Sequence, residues 1–143
     1  MAAYTATIEI AATPSDVFPY LIEPDRLRQW VGGFVESRPL TSGEIGVGTR
    51  SIDVFTERGR EMRMETEILK FEPGRLLEVA IAMPGMKAVS EYRLDGGART
   101  AVMHTQTVTF RGIARLMAPF IGGSLRRRMA EDLARLKTAV EGR

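Results

Sequence analysis

The chain contains no cysteine and a single histidine, His104. Without cysteine there is no disulfide and no thiolate metal site, and one imidazole cannot build a multi-histidine zinc centre. No run of about eighteen apolar residues occurs, so no transmembrane helix and no stable membrane insertion are expected. The opening "MAAYTATIEI" has neither a basic region nor an apolar signal core, which reads as no secretory signal and leads to an expected cytoplasmic location. Aromatic residues are scarce at 7%, with one tryptophan, Trp30. Net charge is also small, at +2, and it is uneven: from Arg111 onward eight basic side chains face three acidic ones, leaving −3 on residues 1–110. A basic excess this local is no nucleic-acid signature. Gly32-Gly33, "GEIGVG" and Gly122-Gly123 lack the glycine spacing between a strand and a helix that a phosphate loop needs, and no cofactor is expected.

What the chain does have is apolar material, 44% of 143 residues, enough for one domain over residues 1–143. "YTATIEIAA" alternates, with Ala6, Ile8 and Ile10 on one face, and predicts a half-buried strand. Thr13 suits an N-cap, Pro14 the first helical position and Asp16 the first turn. Val17, Phe18, Leu21 and Ile22 then form an apolar helical face, which Pro19 keeps short. "EPDRLRQWV" restarts at Pro24 and buries Leu27, Trp30 and Val31, so two short helices in a bent pair are predicted, ended by Gly32-Gly33. Six strand-like runs follow, at 34–40, 48–57, 60–72, 75–83, 86–95 and 99–110, joined by short glycine or proline turns, the pattern of an antiparallel meander. Ile52 and Val54 are expected to point inward. The tail, 112–141, carries an apolar stripe at Leu125, Met129, Leu133, Leu136 and Val140, and a second at Ile113, Leu116, Met117, Phe120 and Ile121. Pro119 and Gly122-Gly123 between them predict a kink or broken turn between Met117 and Ser124.

Strand, two short helices, six strands and one long helix make an α+β arrangement in which a seven-stranded antiparallel sheet curves around the C-terminal helix. The sequence resembles the helix-grip superfamily that holds START lipid-transfer domains, plant pathogenesis-related allergens and bacterial polyketide cyclase/dehydrase-like proteins, the SRPBCC group. The resemblance covers nearly the whole chain. It is carried by "ATIEIAATPSDVFPYLIEPDRLRQWVGGFVE", "GVGTR", "GARTAVMHTQTVTFRG" and "SLRRRMAEDLARLKTAVE". It implies that the bent helical pair props the sheet away from the long helix, and that the space between is a ligand cavity.

The expected cavity wall follows from the inward strand faces: Met62, Met64, Leu77, Val79, Ile81, Tyr92, His104 and Gln106, with Phe120 and Met129 from the tail. His104 is the natural general-base candidate, since its unperturbed pKa lies near neutrality. The alternative is a buried histidine satisfied by a neighbour. The methionines suit an adaptable apolar pocket and equally suit ordinary core filling. Trp30 and Phe34 are candidates to close the mouth, though Trp30 also reads as an anchor for the helical pair, and Arg50 and Tyr92 are candidate polar contacts. Arg126–Arg128 flank the tail stripe and read as a solvated face, or as a patch for an acidic partner or membrane surface. Three functional classes remain open: a binding module for a small hydrophobic molecule, a cyclase or dehydratase using the same cavity, and a partner-binding adaptor.

Overall fold

The computed structural model describes residues 2–142. Seven strands, β1 (Ala2–Ile10), β2 (Phe34–Pro39), β3 (Arg50–Glu57), β4 (Arg60–Glu72), β5 (Leu76–Met83), β6 (Met86–Gly96) and β7 (Thr100–Phe110), form one antiparallel sheet. Their order across it is β1-β7-β6-β5-β4-β3-β2, so every consecutive pair from β2 to β7 is a hairpin and β1 closes onto β7. Short helices α1 (Pro14–Val17), α2 (Pro19–Ile22) and α3 (Pro24–Leu27) link β1 to β2. A 3₁₀ segment, Gly112–Met117, leads from β7 into the long helix α4 (Ala118–Glu141). This is the expected helix-grip α+β architecture.

Three single-turn helices replace the predicted two, and each opens on a proline. A proline at the first helical position loses nothing, because that N–H has no partner in the helix. The same ring ends the turn before it, since it cannot donate to the carbonyl four residues back. Thr13 occupies the N-cap of α1, but its hydroxyl pairs with that of Ser15 at 3.1 Å and makes no cap bond.

The core gathers at one end of the sheet. Val17, Phe18, Tyr20, Leu21 and Trp30 pack against Ile10, Leu77, Leu94 and Val102 of the sheet and Leu133, Leu136 and Val140 of α4. Polar ties hold α4 to β1 there. The Lys137 ammonium donates to the Glu9 carbonyl at 3.0 Å, and the Ala11 N–H donates to the Glu141 carboxylate at 2.7 Å. At the other end the 3₁₀ segment is held by the Arg111 N–H, which donates to the Gly85 carbonyl at 2.9 Å. That segment leaves Ile113, Leu116 and Met117 exposed.

Two expectations are corrected. Cross-strand partners share a face of a sheet, and β3 pairs Ser51 with Thr66, Asp53 with Met64 and Phe55 with Met62. Ser51, Asp53 and Phe55 therefore face α4, and Ile52 and Val54 face outward. The strand carries apolar residues in both parities, so alternation alone could not orient it. Val54 is 3% exposed even so. Its partners across the two neighbouring strands are Glu36 and Arg63, long side chains whose aliphatic stems can cover it. In the tail, the break comes at the junction of Met117 and Ala118, and α4 runs on through Gly122-Gly123 to Glu141. Pro119 lies in the first helical turn, where its missing donor is not needed. The predicted second stripe also includes Ile121, whose side chain lies outside the described residues.

Candidate functional site

Strand β7 presents Phe110, Val108, Gln106, His104 and Val102 to α4, the face the alternation predicted. Their β6 partners are Met86, Ala88, Ser90, Tyr92 and Leu94. His104 is 7% exposed. Its Nε2 lies 2.6 Å from Ser90 Oγ, and its ring stacks on Tyr92 with centroids 4.1 Å apart. Trp30 meets Tyr92 edge-on at 6.1 Å, and the indole N–H donates to the Tyr20 carbonyl at 2.8 Å. This aromatic stack closes the packed end of the inner face.

Its electrostatics argue against strong acid-base power. Burial pulls the His104 pKa down to about 4, so the imidazole is neutral near pH 7 and is a weak base. Among the described residues, its Nδ1 has no protein partner, so no acidic group backs the imidazole as in a nucleophilic set, although Tyr92 stacks on the ring. Burial raises the Tyr92 phenol, with a hydrogen bond to Ser90 opposing the rise and the Asp132 charge adding to it.

A second polar group sits on the far side of the same face. Asp53 accepts hydrogen bonds from Ser37 at 2.8 Å and Ser51 at 3.0 Å, and Ser51 meets the Thr66 hydroxyl at 2.6 Å. Burial raises its pKa, and the two serine bonds partly offset this. Sequence reading missed this cluster because it faced β3 the wrong way. Asp53 and His104 lie on strands separated by four steps of about 4.8 Å, roughly 19 Å along the sheet. The two are separate polar spots on the inner face, with three strands between them.

A cavity of about 470 Å³ opens where the first half of α4 crosses β1 and β7. Its walls are Ala2, Tyr4, Val108, Phe110, Pro119 and the Gly122-Gly123 pair, with Arg115 and Arg126 alongside. Gly122 permits the close crossing: a Cβ there would stand 3.0 Å from the Tyr4 hydroxyl. The Arg126 guanidinium lies over the Tyr4 ring, 5.4 Å from its centroid. Deeper along β7 comes Gln106, opposite Tyr4 on one side and Ser90 on the other. It is half-buried, and its amide has no protein partner among the described residues.

The predicted wall residues divide. Met62, Met64, Val79, Ile81, Tyr92 and Gln106 lie half-buried on the inner face, with His104 buried among them. Leu77 and Met129, 2% and 3% exposed, are taken up by packing between sheet and helix. Trp30, at 2%, anchors the helices against Tyr92 and does not close a mouth. Phe34 is likewise buried, edge-on to Phe55 at 5.5 Å. Phe120 is 76% exposed. It precedes Leu125 by five residues, about 140° round a helix of 3.6 residues per turn, and so leaves the stripe. Arg50 is exposed on the outer face, opposite Glu67. Arg128 pairs with Glu57 at 3.4 Å, whereas Arg126 turns to the cavity. Tyr4, Arg115 and Arg126 were not foreseen as wall residues; the signal was the glycine pair, which lets α4 approach the edge strand where they meet.

Residues 1–141 match the family model described as polyketide cyclase/dehydrase and lipid transport. The chain belongs to this family. Among curated proteins, none matches the sequence. Solved structures share the family's fold at low identity. The protein TTHA0849 from Thermus thermophilus is 16% identical with a TM-score of 0.78, covering 99% of this chain and 98% of that one. CV1439 from Chromobacterium violaceum is 18% identical with a TM-score of 0.78, covering 99% of each. Ara h 8.0201 is 14% identical with a TM-score of 0.75, covering 99% of this chain and 100% of that one. At these identities the likeness concerns the fold alone.

Proposed function

We propose that the chain binds a small hydrophobic molecule, lipid-like or polyketide-like, along the inner face of the sheet beneath α4. The observation that carries this reading is Gln106: a half-buried amide with no protein partner among the described residues, between Tyr4 and Ser90 and one inward position along β7 from Val108, which lines a 470 Å³ cavity. Half-buried, the amide still reaches water, so its donors and acceptor are free to exchange that water for a ligand's polar group at small net cost. Around it, Val79, Ile81, Met83, Met86 and Val108 supply apolar area worth about 25 cal/mol per Å² removed from water. The family description, which joins cyclases and dehydrases with lipid transport, agrees with an apolar cargo. The neutral His104 and its Ser90 partner serve as an orienting pair in this reading, with no reaction assigned to them.

An environment-sensitive apolar dye tests it. The protein should bind the dye in the micromolar range. Ala88→Trp, which fills the inner face next to Val108, should abolish binding with the circular dichroism spectrum intact. Ile81→Trp, at a roomier position, guards against an unfolded first variant and should weaken binding. His104→Ala should leave it nearly unchanged. Absence of dye binding by the unmodified protein, or full binding by both tryptophan variants, would overturn the reading.

A further inference from the structure

Two arginines from different elements border one cavity of mixed polar and apolar lining, and among the described residues neither has an acidic partner. Arg115 comes from the 3₁₀ segment and Arg126 from the third turn of α4. Both flank the 470 Å³ cavity beside Val108 and Phe110. Among the described residues, no ion pair involves either of them, although Arg128, two residues on, reaches Glu57. The sequence explains the imbalance: between Arg111 and Ala130 there are five arginines and no Asp or Glu. Arg126 is also held in place, since its guanidinium rests on the Tyr4 ring. An aromatic face steadies a cation without neutralising it, leaving the charge free for a third group. Two like charges beside low-dielectric walls repel each other and strengthen the field felt by an anion between them.

We propose that the cavity takes an amphiphile with an anionic head, carboxylate or phosphate monoester, and that Arg115 and Arg126 hold this head while the apolar body runs inward. The proposal rests on the groove reading above and adds the ligand's polarity and direction. The inner row of β7 gives the path. From Phe110 through Val108 and Gln106 to His104 is six steps, about 20 Å at 3.4 Å each; the cavity borders the first two of these residues, and a tail reaching further must part the side chains around Gln106. The head stays at the water-facing end, where a charge loses little hydration. The tail points to the closed end, where apolar burial is complete. Guanidinium groups suit such a head because their fork of N–H donors matches two oxygens of a carboxylate or phosphate at once.

The test compares dodecanoate, dodecyl phosphate, dodecanol and dodecylamine by calorimetry and by displacement of the apolar dye. At least one anionic chain should bind ten-fold or more tightly than dodecanol, with dodecylamine the weakest. Whichever anion leads identifies the head. Arg115→Gln and Arg126→Gln should each reduce that preference several-fold while leaving dodecanol affinity unchanged. Arg127→Gln, an exposed neighbour that does not border the cavity, should leave the preference intact. Raising the salt should shrink it, because exposed charge pairs are screened. Equal binding of anion and alcohol, or an equal effect of Arg127→Gln, overturns the inference and leaves the groove reading standing. If the dye binds and none of the four chains binds or displaces it, this inference falls alone; if the dye does not bind either, the groove reading falls with it.

Discussion

His104 turns a buried position into a pH response. Its pKa is about 4 in the folded chain and near 6.5 when unfolded, so the unfolded state takes up its proton first as pH falls. The stability it contributes is complete above pH 6.5 and is lost progressively down to about pH 4. The full difference is on the order of 3 kcal/mol. Asp53 and Asp132 act in the opposite sense: burial raises both, so the proton each takes up in acid favours the folded state. Urea unfolding from pH 7 to pH 4 should therefore show a loss that His104→Gln reduces by a few kcal/mol, after allowing for the cost of the substitution at pH 7. An unchanged slope would mean that His104 is not buried in solution. The inward face of this residue could be read from the sequence, because Val102, Val108 and Phe110 shared its parity. Its bond to Ser90 could not, since pairing across β6 depends on a register that only the assembled sheet sets.

Among the elements, α4 shows what pattern reading captures and what it misses. Its buried stripe, Met129 to Val140, was legible from the spacing alone. Its start was not, because Pro119 and two glycines signal a break to any local reading, and the helix tolerates all three. Proline falls in the first turn, and Gly122 brings the helix against Tyr4. The two glycines should consequently respond differently to alanine. A Cβ on Gly123 meets nothing within 4 Å, so Gly123→Ala should stabilise the protein by up to about 1 kcal/mol through helix propensity. Gly122→Ala gains the same propensity but must push the Tyr4 ring aside. Its net effect on thermal unfolding should be smaller or negative, and dye binding should change with it. Equal shifts in melting temperature for the two variants would refute the proposed tight crossing. The short helices teach the converse lesson: the prolines were visible, but whether Pro19 shortened one helix or separated two depended on packing of Phe18 and Tyr20 in the core.

At the scale of the molecule, the order of elements gave away the fold, since six consecutive hairpin-linked strands and an amphipathic tail leave few ways to bury two apolar faces. The site was only half legible, for it is built where the tail crosses the edge strand, a contact between residues more than a hundred positions apart. That crossing leaves the molecule closed at one end and open at the other. The closed end is the stack of Trp30, Tyr92 and His104, with the packed core behind it. If the proposed ligand runs inward from the cavity along β7, a path blocked at that stack is a ruler. For a series of straight-chain ligands of one head group, each added methylene should strengthen binding by up to about 0.8 kcal/mol while the chain still has floor to cover. Once the chain end reaches the stack, about 20 Å from the mouth, further carbons have nowhere to go and the gain per carbon should drop to nothing. Isothermal titration across chain lengths would locate that limit, and a Tyr92→Ala variant, by removing the stop, should move it to longer chains.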